Sequence, residues 1–242
     1  MLAKTRGIAL HHFNYTDNSV IACIYTENHG RQSYLIKGIR NRRSGIKLSQ
    51  LQPLFLLELE TYHNTRRELQ ILKEAKVYAP LHGITGNIVK RTVALFLAEL
   101  LYKTLHTEEH DHPLFNFIWH SVELLDIDTK GVANFHLAFL MQYSRYLGFF
   151  PENNYSETRQ YFDLKNGLFV NSAPEHIHFT NPQESRLISQ IISIQYEQLD
   201  TLRTDHLTRY NLLLKITDYF RLHTGKAMEI KSLEVLKEIF ED

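Results

Sequence analysis

The sequence predicts an α+β protein in which an amino-terminal β-barrel precedes a helical domain that carries a small β-hairpin insertion. Three observations support this fold class. Short apolar segments separated by turn residues fill the first 80 residues, apolar residues then recur with a period of 3.6, and an Asn-Gly pair interrupts the helical part. We therefore expect two domains, residues 1–80 and 81–242, with the hairpin insertion at about 151–182.

Five segments of the first domain are rich in β-branched, aromatic and leucine residues and are bounded by turn residues, which is typical of strands. They are Gly7–Leu10, Ser19–Thr26, Gln32–Gly38, Leu54–Tyr62 and Leu69–Leu72. Five short strands within about 80 residues suit a small closed barrel. The stretch Ile39–Gln52 is then a long connection, and its flexible points are expected at Asn41, Ser44 and Gly45.

After Pro80 the apolar pattern changes to that of helices. Apolar stripes predict core helices within Val89–Leu101, Leu114–Val122 and Val132–Leu147, and further helices are predicted over Glu184–Leu202, Leu207–His223 and Ser232–Phe240. Gly225 is expected to end the helix before it. The segment Tyr161–Val170 contains Asn166-Gly167 between apolar flanks, which predicts a hairpin turn.

Positive charge is concentrated in the first domain, although the whole chain has 27 Lys and Arg against 27 Asp and Glu. No acidic residue lies between Glu27 and Glu58, a stretch that holds Arg31, Lys37, Arg40, Arg42, Arg43 and Lys47. A solvated loop would explain this run of basic residues, but a surface that is merely soluble usually mixes positive and negative charges. We therefore predict that these residues contact nucleic acid phosphates.

Tyr34 lies in the strand that precedes the basic connection. Its ring is a candidate platform for stacking a base, although an aromatic residue on a barrel strand is more often part of the core.

The motifs that suggest an enzyme fail on inspection, so we predict no catalytic residue and no cofactor. Gly225-Lys226 lacks the upstream glycine and the following hydroxyl residue of a phosphate-binding loop. Cys23 lies in an apolar segment and is expected in the core. Glu58 and Glu60 share one face of a strand, where paired carboxylates are possible but a solvent-facing edge is favoured.

No metal site is predicted either. His106, His110 and His112 form the densest histidine cluster, and acidic residues adjoin them, so a weak metal site remains an alternative to a loop between two helices. No segment is long and apolar enough to span a membrane, the start does not resemble a signal peptide, and one cysteine cannot form an internal disulfide. We therefore expect a cytoplasmic protein.

A series of motifs in the first domain occurs in a characteristic order and spacing. The motifs are Gly7-Ile-Ala-Leu10, Asp17-Asn-Ser, Tyr25-Thr-Glu-Asn-His-Gly30, Lys37-Gly-Ile-Arg40, Leu51-Gln-Pro-Leu-Phe55 and Leu57-Glu-Leu-Glu60. In this order they resemble the bacterial RecO family of DNA repair proteins. The resemblance extends over nearly the whole chain through Phe96-Leu-Ala-Glu-Leu100, Tyr146-Leu-Gly-Phe149 and Gly225-Lys-Ala-Met-Glu-Ile-Lys-Ser-Leu233.

The resemblance implies an oligonucleotide-binding (OB) barrel and a role as a recombination mediator. Such a protein binds single- and double-stranded DNA, anneals complementary strands and helps to load recombinase, at the nucleoid during repair. The implied protein partners are RecR and the acidic carboxyl-terminal tail of the single-strand-binding protein. Many family members hold a structural zinc with four cysteines in the hairpin region, but residues 151–182 contain no cysteine here. We expect this hairpin to fold without metal.

Two other functions remain possible from the sequence. In the first, the chain is a protein-interaction adaptor that does not bind DNA directly and acts through its helical domain. In the second, the same barrel binds RNA.

The acidic tail of the single-strand-binding protein is expected to bind the helical domain. The basic residue that we would look for near Asn134–Phe139 to receive this tail is missing.

Overall fold

The computed structural model describes residues 2–39, 41, 45–64, 66–105, 110–128, 130–226 and 229–241. The chain divides into two compact units, Met1–Asp126 and Ile127–Asp242. The first unit contains the barrel and the helices that follow it. It therefore extends beyond residue 80, because a helix of this unit packs on a barrel strand.

A closed five-stranded barrel forms the first part of the chain, as predicted. Its strands are β1 (Leu2–Thr16), β2 (Ser19–Thr26), β3 (Gly30–Lys37), β4 (Leu56–Tyr62) and β5 (Leu69–Val77). They follow the order β1-β2-β3-β5-β4, and β4 closes the barrel by pairing with β1. The pair β3–β5 is parallel and the other pairs are antiparallel, which is the arrangement of an OB barrel.

Inward-pointing side chains fill the barrel, and the space is so limited that several core positions hold small residues. Ala9, Ala22 and Ala75 lie beside the large ring of Tyr34 in this core. Gly7 permits a close approach of β1 to its neighbours, because a Cβ atom there would lie 2.6 Å from Leu59 Cδ1. The barrel therefore has a packed interior.

The turn before β4 holds an unusual backbone conformation. Leu54 has a φ of 62°, in the left-handed region, which costs a residue with a Cβ atom about 1–2 kcal/mol. Two hydrogen bonds hold the turn: the N–H of Leu54 donates to the carbonyl of Ala9 at 2.8 Å, and the N–H of Ala9 donates to the carbonyl of Phe55 at 2.9 Å. The buried Leu54 side chain adds to this stabilisation.

Three helices complete the first unit: α1 (His82–Gly86), α2 (Ile88–Thr104) and α3 (His112–Ile127). Asn87 caps α2, because its side chain accepts hydrogen bonds from the N–H groups of Val89 and Lys90. Arg6 on β1 connects the barrel to α3. Its guanidinium donates to Glu27 at 2.7 Å and to Asn116 at 3.1 Å, and it lies 4.9 Å from the centre of the Trp119 ring.

The second unit is helical and contains α4 (Phe135–Tyr146), α5 (Pro182–Ser193), α6 (His206–Thr224) and α7 (Ser232–Glu241). Gly225 ends α6 in the left-handed conformation, as predicted. The predicted helix Glu184–Leu202 is instead two elements, since α5 stops at Ser193 and a 3-10 segment covers Tyr196–Thr201. None of the helices in the segments that the structure describes is both long and apolar enough to cross a membrane.

The predicted hairpin is present as β6 (Tyr161–Asp163) and β7 (Leu168–Val170). Asp163 organises its turn. Its carboxylate accepts hydrogen bonds from the side chain of Asn166 at 2.7 Å and from the backbone N–H of Lys165 at 2.8 Å, and it lies 3.3 Å from Nε2 of His176. Burial acts to raise the pKa of Asp163, but these hydrogen bonds outweigh burial and hold the pKa below its usual range.

This network predicts an acid-dependent stability of the hairpin. Asp163→Asn should lower the free energy of unfolding at pH 7 by about 1–3 kcal/mol, because the amide cannot accept the same hydrogen bonds. The carboxylate has a lowered pKa in the folded state, so its contribution is present above the ordinary pKa of aspartate and is lost as the pH falls through the folded-state value. Urea unfolding of both proteins between pH 7 and pH 2 should therefore show a difference that shrinks at low pH. The exposed Asp200→Asn serves as control, and an equal effect of both variants would contradict the interpretation.

The hairpin should also be indifferent to chelators. Within the described ranges no group of three or more His, Cys, Asp or Glu side chains is arranged to hold a metal ion. We expect the thermal unfolding midpoint of the purified protein to stay the same after dialysis against EDTA and after addition of Zn²⁺. A drop in the midpoint that Zn²⁺ restores would contradict this prediction.

Candidate nucleic-acid interface

The basic connection after β3 is anchored to the barrel by apolar side chains. Ile39, Ile46 and Leu51 are buried in the barrel core, so the described ends of the connection lie against the barrel. Gly38 begins the connection with a φ of 74°, and its N–H donates to the carbonyl of Asn18 at 2.7 Å. The connection is thus held at a defined end of the barrel.

Two of the predicted phosphate-binding residues, Lys37 and Lys47, lie exposed at this end. Among the residues that the structure describes, neither lysine forms an ion pair. A cavity of about 260 Å³ lies beside Lys37 and is lined by Lys37, Asn41 and Lys73, among others. Arg40, Arg42 and Arg43 lie outside the described residues, so their contribution stays a prediction.

A row of apolar side chains winds around the outer wall of the closed barrel in register. Cross-strand pairs join Phe13 to Ile21, Ile21 to Leu35, Leu35 to Ile71, Ile71 to Tyr62 and Tyr62 to Leu2. Paired residues point to the same face, and the flanking residues Val20, Ala22, Tyr34, Ile36 and Leu72 are in the core, so this outer apolar row faces outward. Phe13, Tyr62, Ile71 and Leu2 are each more than two fifths exposed, whereas Ile21 in the same row is buried.

A second row, two residues further along each strand, carries charge. It contains Lys4, Tyr15, Ser19, Lys37, Glu60 and Lys73. Glu60 accepts a hydrogen bond from Lys73 at 2.9 Å and lies 3.3 Å from Nζ of Lys4, so one carboxylate serves two lysines. This charged row is therefore cationic and lies directly beside the outer apolar row.

Arg31 lies apart from the two lysines. It is at the opposite end of β3, about 20 Å from Lys37 at the usual rise of a strand. Its guanidinium donates to the carbonyl of Tyr102 and lies 5.2 Å from the centre of that ring. The structure does not bring Arg31 together with the basic connection, and the residue belongs to a separate cavity.

Tyr34 is part of the barrel core. Its side chain has no exposed surface, because the residue points inward among Ala22, Leu59 and Ile36. The interpretation of this ring as a base-stacking platform is wrong for this structure, since no base can reach either face.

Phe13, Tyr15 and Tyr62 are exposed aromatic rings on the outer wall of the barrel. Sequence reasoning missed them because no single segment shows that they point outward in rows around the barrel. The alternation of His11, Phe13 and Tyr15 indicates one outward face of β1, but the row across five strands follows only from the strand register.

The residues that suggested enzyme chemistry are not placed for it. Cys23 is buried, as predicted. Lys73 and then Lys4 lower the pKa of Glu60 below its usual range, so this carboxylate is a poor proton carrier at neutral pH. His106 lies outside the described residues, while His110 and His112 are in edge-to-face contact, with ring centres 5.6 Å apart.

Comparison with known proteins gives two family matches that together cover most of the chain. Residues 1–81 match the family model for the amino-terminal domain of Recombination protein O, and residues 86–234 match the model for its carboxyl-terminal domain. The chain belongs to the RecO family. The resemblance seen in the motifs is thereby confirmed.

Relatives that carry the name DNA repair protein RecO align with the chain from end to end. The protein of Phocaeicola vulgatus is 39% identical over 99% of this chain and 100% of its own length. Those of Bacteroides fragilis and Azobacteroides pseudotrichonymphae are 38% and 36% identical, and each alignment covers 100% of both chains. RecO proteins are a family of DNA repair and recombination proteins.

The RecO motif Leu51-Gln-Pro-Leu-Phe55 coincides with the strained turn before β4. The motif that carries much of the resemblance therefore has a structural task here, because the left-handed Leu54 fixes how the basic connection returns to β1.

Proposed function

We propose that this chain is a DNA repair and recombination mediator that binds single- and double-stranded DNA on the outer wall of its barrel. One observation carries this proposal: the outer apolar row, with exposed rings, lies directly beside a cationic row and the lysines of the basic connection. Membership in the RecO family supports the same role. A protein acting in this way works in the cytoplasm, at the nucleoid during repair.

The two rows suit the two chemical parts of a nucleic acid strand. Bases stack on aromatic and apolar side chains, and each such contact is worth about 1–3 kcal/mol. Phosphates pair with Lys37, Lys47 and the arginines Arg40, Arg42 and Arg43. On duplex DNA the bases are stacked already, so the cationic residues dominate binding and the outer apolar row contributes less.

Annealing needs no covalent chemistry on this surface. A cationic surface reduces the repulsion between two polyanionic strands, and complementary bases then pair. Two further steps belong to the proposal: assistance in loading recombinase, and binding of RecR and of the acidic tail of the single-strand-binding protein. The adaptor function is the competing proposal, since an exposed apolar row also suits a protein partner.

The charges can be tested by reversing them. Lys37→Glu combined with Lys47→Glu should weaken binding of single-stranded DNA at least tenfold, because two phosphate contacts become repulsive. For the unmodified protein with about four to six phosphate contacts, log Kd against log salt concentration should have a slope of about 3 to 4 in magnitude, and the double variant should have a smaller slope. Fluorescence anisotropy in a salt series measures both, and the same variant should anneal complementary strands more slowly.

The matched control is Lys165→Glu combined with Arg186→Glu, which makes the same change in charge on exposed residues of the second unit. If the two double variants bind DNA equally well, the adaptor function is favoured. Competition with RNA of the same sequence separates DNA binding from RNA binding.

The outer apolar row can be tested with two isoleucines of similar exposure. Ile71, in the row, is 45% exposed, and Ile88, at the start of α2, is 49% exposed. We expect Ile71→Ala combined with Phe13→Ala to weaken binding of single strands by about tenfold or more, because stacking surface is lost. Binding of duplex DNA should change much less, and Ile88→Ala should change neither affinity. Equal losses for single strands and duplex would show that the row does not contact bases.

A further inference from the structure

A polar cavity of about 640 Å³ lies at the end of the barrel away from Lys37. The β2–β3 turn contributes His29, the start of β3 contributes Arg31, and the connection between β4 and β5 contributes His63 and Arg67. His110, just before α3, completes one side. We call this the histidine cavity, and all of its residues belong to the first unit.

Two imidazole rings form its wall. The rings of His29 and His63 are stacked, with centres 3.9 Å apart and planes 8° from parallel. Nε2 of His29 is buried and has no hydrogen-bond partner within the described part of the chain. A buried polar atom without a partner is uncommon, and here it belongs to a residue that lines the cavity.

The guanidinium of Arg31 is fixed beside this stack. The carbonyl of Tyr102 accepts one of its hydrogen bonds and the Tyr102 ring lies against it, while Nε of Arg31 is buried without a partner among the described residues. Arg67 adds an exposed cation. Glu68 is the one carboxylate among the described lining residues, and it is exposed. The donors are therefore in excess, and the cavity suits an anion.

We propose that the histidine cavity binds a phosphate group, and that it binds this group more tightly when His29 is protonated. The chemistry is that of a compact oxyanion held by charged and neutral N–H donors. The phosphate comes either from a nucleic acid strand on the barrel or from free phosphate. The inference goes beyond DNA binding by the two rows, because the cavity lies at the other end of β3.

The pH dependence follows from the surroundings of His29. The titratable and charged groups around it are Arg31 on its own hairpin, His63, Arg67 and Glu68 on the β4–β5 connection, and His110 before α3. Burial and then the neighbouring histidines lower the pKa of His29 below its usual range, so the empty cavity favours the neutral ring. An anion reverses this preference, and binding therefore takes up protons.

Sulfate is the sharpest probe, because it has the shape of phosphate and keeps both charges between pH 6 and pH 8. We expect calorimetric titration of the full chain to show sulfate binding about three- to tenfold tighter at pH 6 than at pH 8, with proton uptake. Inorganic phosphate should compete with it. His29→Gln should remove the pH dependence, whereas His82→Gln, at an exposed histidine outside the cavity, should retain it.

A second pair of variants covers the case in which His29→Gln fails to fold. Arg67→Gln should weaken sulfate binding at both pH values, and its exposed neighbour Arg66→Gln, outside the lining, should not. Equal sulfate affinity at the two pH values, or equal behaviour of Arg67→Gln and Arg66→Gln, would overturn the proposal.

Single-stranded DNA then identifies the source of the phosphate. Weaker DNA binding by Arg67→Gln assigns the site to a strand phosphate, and unchanged DNA binding with lost sulfate binding assigns it to free phosphate. Because the sulfate titration contains no nucleic acid, its result stays interpretable even if the barrel rows prove not to bind DNA.

Discussion

Closure of the barrel is the constraint on which the first unit depends. When five strands pair in a ring, every residue is assigned to the inside or the outside, and its neighbours on each side are fixed by the register. The inside is small and is filled by residues such as Ala9, Ala22 and Tyr34. The outside then receives two rows of quite different chemistry, one apolar and one cationic, without any loop having to build them.

Most of the fold could be predicted from the sequence because its local patterns agree with the tertiary structure. The strand Ser19–Thr26 has the predicted bounds, and the Asn166-Gly167 turn and the end of α6 at Gly225 follow from local backbone preferences. The extent of β1 could not be predicted, since its outer positions alternate with polar residues that resemble a loop. The break after Ser193 was hidden because apolar residues such as Leu199 continue the pattern of α5 into the 3-10 segment.

The candidate site was less accessible to sequence reasoning. Clustering of charge directed attention to Lys37 and Lys47, which the structure places at exposed positions. It also grouped Arg31 with them, although Arg31 and Lys37 lie at opposite ends of β3 and are therefore far apart in space. Tyr34 was difficult for a different reason. An aromatic residue on a barrel strand suits either face, and the alternation of residues along β3 places this one in the core.

The packed interior of the barrel has a consequence for substitutions on its outer wall. Because Tyr34 and the small residues around it fill the inside of the barrel, the inward and outward residues of each strand have different surroundings. Outward residues can then be exchanged without altering the internal volume that stabilises the fold. Alternate residues of one strand therefore meet different physical constraints: the inner ones must fit the core, and the outer ones need not.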